Sequence, residues 1–164
     1  MAERTILFIC VENAGRSLMA EAMFNARPPP GWTAASAGTE PAAHVPPRTG
    51  EMLREIGLAL PTHPPQRLTD EMMTAASIRI TMGCLDSASC PARLKTLEVV
   101  DWALPDPASL DDAGFRRVRD DIADRVARLR LELAVATRRR SVPPRPSSTD
   151  GTTGAGTSET APHP

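Results

Sequence analysis

Short apolar runs alternate along the chain with stretches in which apolar residues recur every three or four positions. Thr5 to Cys10 is a continuous run, short enough to read as a buried strand. Met19, Ala22, Met23 and Ala26 then fall at helical spacing, and the prolines from Pro28 end that helix. Trp32–Ala37 reads as a second strand closed by Gly38. Pro47–Ile56 reads as a helix with Met52, Leu53 and Ile56 inward and Gly57 as its stop. Thr69–Ala76 predicts a short helix, and Ile78–Met82 and Leu97–Trp102 predict two more strands. The last helix is the clearest. Ser109 with Asp112 resembles a capping box, with Asp in place of the usual Glu, and Phe115, Val118, Ile122, Val126, Leu129 and Leu133 form one stripe that reads as core. Strands alternating with helices predict a single α/β domain: a parallel sheet of about four strands with helices on both faces. Ligands of such sheets bind outside the carboxyl ends of the strands.

Composition changes this picture at one end. From Ser141 the chain is mostly Pro, Gly, Ser and Thr, too poor in apolar surface to offset chain entropy, so the expected organisation is a folded domain over 1–140 and a disordered tail over 141–164. A net charge of −1 offers no footprint for nucleic acid or an anionic membrane, so any anion site must be local. No signal peptide or membrane-length apolar run is visible, and a cytoplasmic monomer is expected. In that compartment three cysteines mean thiol chemistry or core packing more often than a structural disulfide.

Cys10 stands where the strand rule places chemistry. The segment Cys10-Val11-Glu12-Asn13-Ala14-Gly15-Arg16-Ser17 is C-x5-R-S between a strand and a helix. Its intervening residues can wrap so that successive backbone N–H groups point inward at a helix N-terminus, a nest for an oxyanion that also favours the thiolate of Cys10. Arg16 can close the ring with a planar fork matched to two oxygens of a tetrahedral anion. Ser17 can donate a hydrogen bond to the sulfur. The competing reading is a buried core cysteine followed by an ordinary turn.

The segment resembles the catalytic loop of the low-molecular-weight protein tyrosine phosphatases and of the arsenate reductases that share their fold. The resemblance continues through Asn13, Met19-Ala-Glu21-Ala, Ser36-Ala-Gly-Thr39, Asp101-Trp102 and Asp106-Pro107, roughly Thr5 to Leu133. It implies a low-molecular-weight phosphatase-like fold, Cys10 as nucleophile, Val11 to Arg16 as oxyanion loop, and Asp106 as proton donor to the departing oxygen. Asp101 and Asp111 read instead as solvated or capping carboxylates.

Three features separate the branches. Thr81-Met-Gly-Cys84-Leu-Asp-Ser-Ala-Ser-Cys90-Pro91 resembles the redox segment of the thioredoxin-coupled arsenate reductases, and a phosphatase has no use for both cysteines. The aromatic residues that stack on phosphotyrosine are missing: Ala108 and Ser109 follow Pro107, and the chain has no tyrosine. Gly15 stands where the phosphatases carry a second cysteine. The implied reaction is arsenate reduction by a thiol relay, with Cys10 attacking, Cys84 then Cys90 resolving, thioredoxin as reductant, and phosphate or sulfate as substrate analogues. The alternatives are a phosphomonoesterase using Cys10, Arg16 and Asp106, a reductase dependent on a small thiol, and, least favoured, an arsenite sensor. Cys84 and Cys90 could also be a core residue and an incidental surface thiol, and a zinc site would need His63 or another ligand from an undetermined position.

Two departures stand out. Some relatives hold a structural potassium ion near the loop through Asn, Glu, Ser and Asp; Asn13, Glu21 and Ser36 match the first three, while the Asp position falls near Gln66. Glu12 puts a carboxylate in an anion cradle, which is tolerable if it points outward and the field of Arg16 and the helix terminus offsets it.

Overall fold

The computed structural model describes residues 3–143, so the tail expected from Ser141 lies almost wholly outside the described residues. The order of elements is β1 (Arg4–Cys10), α1 (Arg16–Ala26), β2 (Trp32–Gly38), α2 (Pro47–Arg54), α3 (Asp70–Ala75), β3 (Ile78–Thr81), α4 (Ala92–Thr96), β4 (Val100–Asp101), a 3-10 turn (Pro107–Ser109) and α5 (Asp112–Ser141). The four strands form one parallel sheet in the order β2-β1-β3-β4. Central β1 is apolar on both faces because helices cover both faces. Ile6, Phe8 and Cys10 join α1, α2 and α5 in one core layer. Leu7 and Ile9 join Met73 of α3, Leu94 of α4 and Cys84 in the other. The α/β arrangement with helices on both faces is therefore as the pattern predicts.

The helix ends follow side-chain chemistry. Thr69 caps α3 by accepting from the Met72 N–H. Gly57, at φ +77°, closes α2 through bonds from Leu58 N to Leu53 O and from Gly57 N to Arg54 O, a Schellman pairing. α2 is clamped to α5 by Glu55, whose bonds to Arg116 and then Arg119 hold its carboxyl down at about 2.

Three expectations need correcting, and one helix was not expected. Ser109 is not the cap of the last helix: Asp111 is, accepting from Gly114 N at 2.8 Å, while the Ser109 hydroxyl donates to the Asp106 carbonyl. Asp111 stands directly before the helix, where its carboxylate reaches the N3 amide, whereas Ser109 belongs to the preceding 3-10 turn. Ile56 is not inward but 39% exposed, because the helix has already given way to the Gly57 turn. The strand expected over Leu97–Trp102 is only Val100–Asp101, an edge pairing with β3 alone. Just before it, Ala92–Thr96 forms a helix that the apolar pattern does not announce, since only Leu94 is buried.

Candidate active site

The loop after β1 is shaped by what its carbonyls bind. The chain beyond β2 runs alongside it, and the amides of Thr39, Glu40 and Ala42 donate to the carbonyls of Cys10, Val11 and Glu12 at 3.1, 2.8 and 2.9 Å. The buried Thr49 hydroxyl at the start of α2 donates to the Ala14 carbonyl at 2.8 Å. With these carbonyls turned to the scaffold, the amide side of the loop is left to face the anion position. Gly38 makes this approach possible: a Cβ there would lie 2.6 Å from the Val11 carbonyl and 2.9 Å from the Asn13 nitrogen. Asn13 sits at φ +50°, a left-handed conformation that Asn tolerates better than most residues. Its N–H points at Cys10 Sγ, 3.2 Å away.

The hydroxyl directions in this site follow from one backbone donor. The Gln66 N–H can only donate, so the Asn13 atom facing it at 3.0 Å is Oδ1. Asn13 Nδ2 then donates to both Ser17 Oγ, at 2.8 Å, and Ser36 Oγ, at 2.9 Å. Each serine is left to spend its own proton elsewhere. Ser36 donates to the Glu21 carboxylate, and Ser17 donates to Cys10 Sγ at 2.9 Å. Cys10 is thus buried and accepts two hydrogen bonds, from the Asn13 N–H and from the Ser17 hydroxyl.

Arg16 is 8% exposed and donates from Nη1 to the Leu104 carbonyl at 2.9 Å. Gly83, at φ +86°, leaves room for it: a Cβ there would lie 2.5 Å from Nη1. Asp106 begins the 3-10 turn, accepting from Ala108 N at 3.0 Å, and is exposed. With Glu12, Ala14, Gly15, Thr49 and Pro107 it lines one cleft, so the loop and the carboxylate share a mouth. Glu12 is exposed on that rim, as an outward side chain requires.

The three thiols are free, and they differ. Cys84 is fully buried in the core layer on the far side of β1 from Cys10, its sulfur 3.7 Å from the Ile9 carbonyl. Burial, then the neighbouring Cys90 and Cys10, push its thiol up to about 12. Cys90 is half-buried beside the same layer. The segment between them is held by two turns, from Ser87 N to Cys84 O and from Cys90 N to Ser87 O, and by Ser89 Oγ paired with Thr39 Oγ1 at 2.7 Å.

Of the residues singled out from the sequence, Cys10, Asn13, Arg16, Ser17, Glu21 and Ser36 fall together, with Asp106 at the mouth. Asp101 is exposed, as expected of a solvated carboxylate, and also accepts from the Thr81 hydroxyl at 2.9 Å. His63 bonds to neither of the two later cysteines. Its Nε2 lies 2.8 Å from Glu21 Oε2 and its Nδ1 lies 2.8 Å from the Pro64 carbonyl. Burial pulls the imidazole pKa down, but the bonds to Pro64 and Glu21 and the Glu21 charge outweigh it, and the net shift is upward. Among the described residues no group of three or more His, Cys, Asp and Glu side chains could hold a metal. Thr49, Leu104, Gly83 and His63 were not readable as parts of the site, because each reaches it through tertiary contact from an otherwise ordinary loop or helix start.

A parallel α/β sheet with a cysteine–arginine anion loop at the end of its first strand defines a class. The chain belongs to the low molecular weight phosphotyrosine protein phosphatase family, which it matches over residues 5–139. Among its relatives is the arsenate reductase 1 of Staphylococcus epidermidis, 34% identical over 123 residues, covering 74% of this chain and 92% of that protein. The thioredoxin-dependent arsenate reductase of Corynebacterium glutamicum superposes with a TM-score of 0.68 at 31% identity over 82% of this chain, which spans 64% of that structure's chain. An arginine phosphatase from Geobacillus stearothermophilus, with a TM-score of 0.72 over 85% of this chain and 98% of its own, is only 22% identical and shares the fold.

Proposed function

We propose that the protein is an arsenate reductase that works by a cysteine relay, with thioredoxin as the final reductant. The observation that carries this reading is the pair Cys84 and Cys90 beside the anion loop, with Cys84 one residue's width from the end of β1. A hydrolase would need only the loop and Asp106. The identity to proteins named arsenate reductases over most of the chain supports the same reading.

In the first step the Cys10 thiolate attacks arsenic and an S–As bond forms. An As–O bond breaks, Asp106 protonates the departing oxygen, and Arg16 with the loop amides holds the anionic oxygens. Cys84 then attacks Cys10 Sγ. The S–As electron pair stays on arsenic, which goes from As(V) to As(III), and arsenite leaves as the Cys10–Cys84 disulfide forms. Cys90 attacks Cys84, Cys10 departs as thiolate, and the Cys84–Cys90 disulfide is returned to two thiols by a dithiol reductant. Ser17 serves twice, by stabilising Cys10 as attacking group and again as leaving group.

The second step needs Cys84 to leave its apolar pocket. There it is a thiol, and thiolate is the nucleophile, so exit from the core both brings the sulfur round the end of β1 and restores its acidity. Gly83, the turns at Ser87 and Cys90, the Ser89–Thr39 side-chain tie and the contact of Cys84 Sγ with the Ile9 carbonyl are what must give way.

The test follows arsenate-dependent oxidation of reduced thioredoxin by wild type, Cys84→Ser and Cys90→Ser, beside aryl-phosphate hydrolysis. Both serine variants are expected to lose turnover while any hydrolysis persists. Full thioredoxin-linked turnover in either variant would overturn the relay, and turnover with a small thiol alone would replace thioredoxin.

A further inference from the structure

Asn13, Glu21 and Ser36, the three residues that the resemblance sets beside a potassium ion, are indeed adjacent, but their lone pairs are not offered to a cation. Hard cations are held by convergent oxygen lone pairs. Asn13 turns its amide hydrogens, not its oxygen, toward Ser36, and its Oδ1 is occupied by the Gln66 N–H. Ser36 directs its hydroxyl proton at Glu21. The position matching a ligating Asp is Gln66, whose Nε2 donates to the Ser36 carbonyl at 2.8 Å. The residues present do not fit the ion.

What they fit is a donor on the far side of Glu21. The Glu21 side chain is 9% exposed, and an unanswered carboxylate at that depth is costly. His63 Nε2 lies against both of its oxygens, at 2.8 and 3.1 Å. The direction of the imidazole is fixed by the Pro64 carbonyl, which only accepts, so Nδ1 carries a proton there and Nε2 is presented to Glu21. From His63 the bonds run without a gap through Glu21, Ser36, Asn13 and Ser17 to Cys10 Sγ.

We propose that His63 takes the place of a monovalent cation in this protein: it neutralises Glu21 from within the chain and so keeps Asn13 and Ser17 oriented on Cys10 without a bound metal ion. His63 is then a positioning residue, acting through four side chains on the nucleophile. The inference does not depend on which reaction the loop serves, because it concerns the geometry of an anion site common to all of them.

The experiment uses the full chain and inorganic phosphate as probe. Phosphate affinity by calorimetry and thermal midpoint are measured in potassium chloride and in N-methylglucamine chloride at equal ionic strength. Wild type is expected to give the same two values in both salts. His63→Ala is expected to bind phosphate about tenfold more weakly in N-methylglucamine, as for a buried pair deprived of one partner, and to regain most of that affinity in potassium, which can then take the imidazole's place against the vacated Glu21 and Pro64 oxygens. The double variant His63→Ala/Glu21→Gln removes the charge itself and is expected to bind phosphate equally in both salts, more tightly than His63→Ala alone in N-methylglucamine. This variant also covers the case in which the single substitution does not fold. A saturable potassium effect on wild type would overturn the proposal. So would an unchanged His63→Ala, or a loss that neither potassium nor the second substitution repairs.

Discussion

The anion loop and the thiol segment lie side by side at one end of the sheet, and they are held in opposite ways. From Cys10 to Ser17 the backbone carbonyls are tied to Thr39, Glu40, Ala42 and Thr49, and the side chains form an unbroken chain of bonds back to His63. From Gly83 to Cys90 the ties are mostly local: two turns, bonds between Ser87 and Ser89, a serine–threonine pair and a long contact from Cys84 Sγ to the Ile9 carbonyl. The first region is pre-organised, which is how a site stabilises an anion without reorganising at the moment of reaction. Under the proposed relay the second cannot be, since a sulfur that must reach two different partners has to move between them. Binding would then be built into the loop, and electron transfer into what can leave its place.

Substitutions can separate the two regions, and the largest effect belongs to Cys84. Cys84→Ser is expected to lower thioredoxin-linked arsenate turnover by more than about a hundredfold, since exchange without a thiolate does not proceed. Phosphate binding should stay within about twofold of wild type, because the loop's supports do not include this side chain. A comparable loss of phosphate affinity would show that the two regions are not independent.

Gly38→Ala attacks the first region from its scaffold. The added methyl would meet the Val11 carbonyl and the Asn13 nitrogen at under 3 Å, with backbone on both sides and no flexible group to yield. Phosphate affinity is expected to fall about ten- to a hundredfold and turnover with it, in line with the cost of misplacing a site by a fraction of its bond lengths. Gly83→Ala is the counterpart at the join of the two regions. There the clash is with the Arg16 guanidinium, and the backbone is left-handed as well, so both binding and turnover should drop. Equal phosphate affinity in wild type and Gly38→Ala, by calorimetry, would mean that the close approach is not what shapes the loop.

These glycines mark the limit of what the chain announced. The anion loop was legible because its chemistry is local: a strand run, a cysteine, an arginine at fixed spacing and a helix all lie within Thr5–Ala26. The stripe of α5 was legible for the same reason. Gly38, Gly83, Thr49 and His63 were not, since what each does depends on a neighbour brought from another element, and no period or composition encodes that. The capping box failed in a smaller way: Ser109 and Asp111 both suit a cap, and the choice between them rests on which residue the 3-10 turn leaves in extended conformation.

The burial of Cys84 gives an effect of intermediate size that needs no substitution. A thiol at about 12 in the folded chain, against an ordinary value near 9, carries roughly two to three orders of magnitude less thiolate at pH 8 than an exposed one. Mass spectrometry of partly alkylated reduced protein should therefore find the half-buried Cys90 modified well before Cys84. Thr39→Val removes the hydroxyl–hydroxyl tie between the scaffold and the segment, and should quicken Cys84 alkylation severalfold at unchanged phosphate affinity. Preferential modification of Cys84 in wild type would place that sulfur outside the core in the reduced protein.

The smallest expected effect tests the boundary between the loop and solvent. Glu12 is exposed, and its backbone carbonyl, not its carboxylate, is what the scaffold holds, through Ala42 N at 2.9 Å. The side chain therefore contributes only the field of one screened charge, opposed by the Arg16 guanidinium and the α1 terminus. Glu12→Gln removes that field and leaves the loop's bonds intact. Phosphate should bind about two- to threefold more tightly at low ionic strength, and the gain should shrink as salt is raised, because an exposed charge is screened within about 10 Å at 0.1 M salt. A weaker binding of phosphate by Glu12→Gln, or a gain that salt does not touch, would mean that this carboxylate supports the loop's shape. It would then belong with Asn13 and Thr49 in the braced region, rather than on the rim.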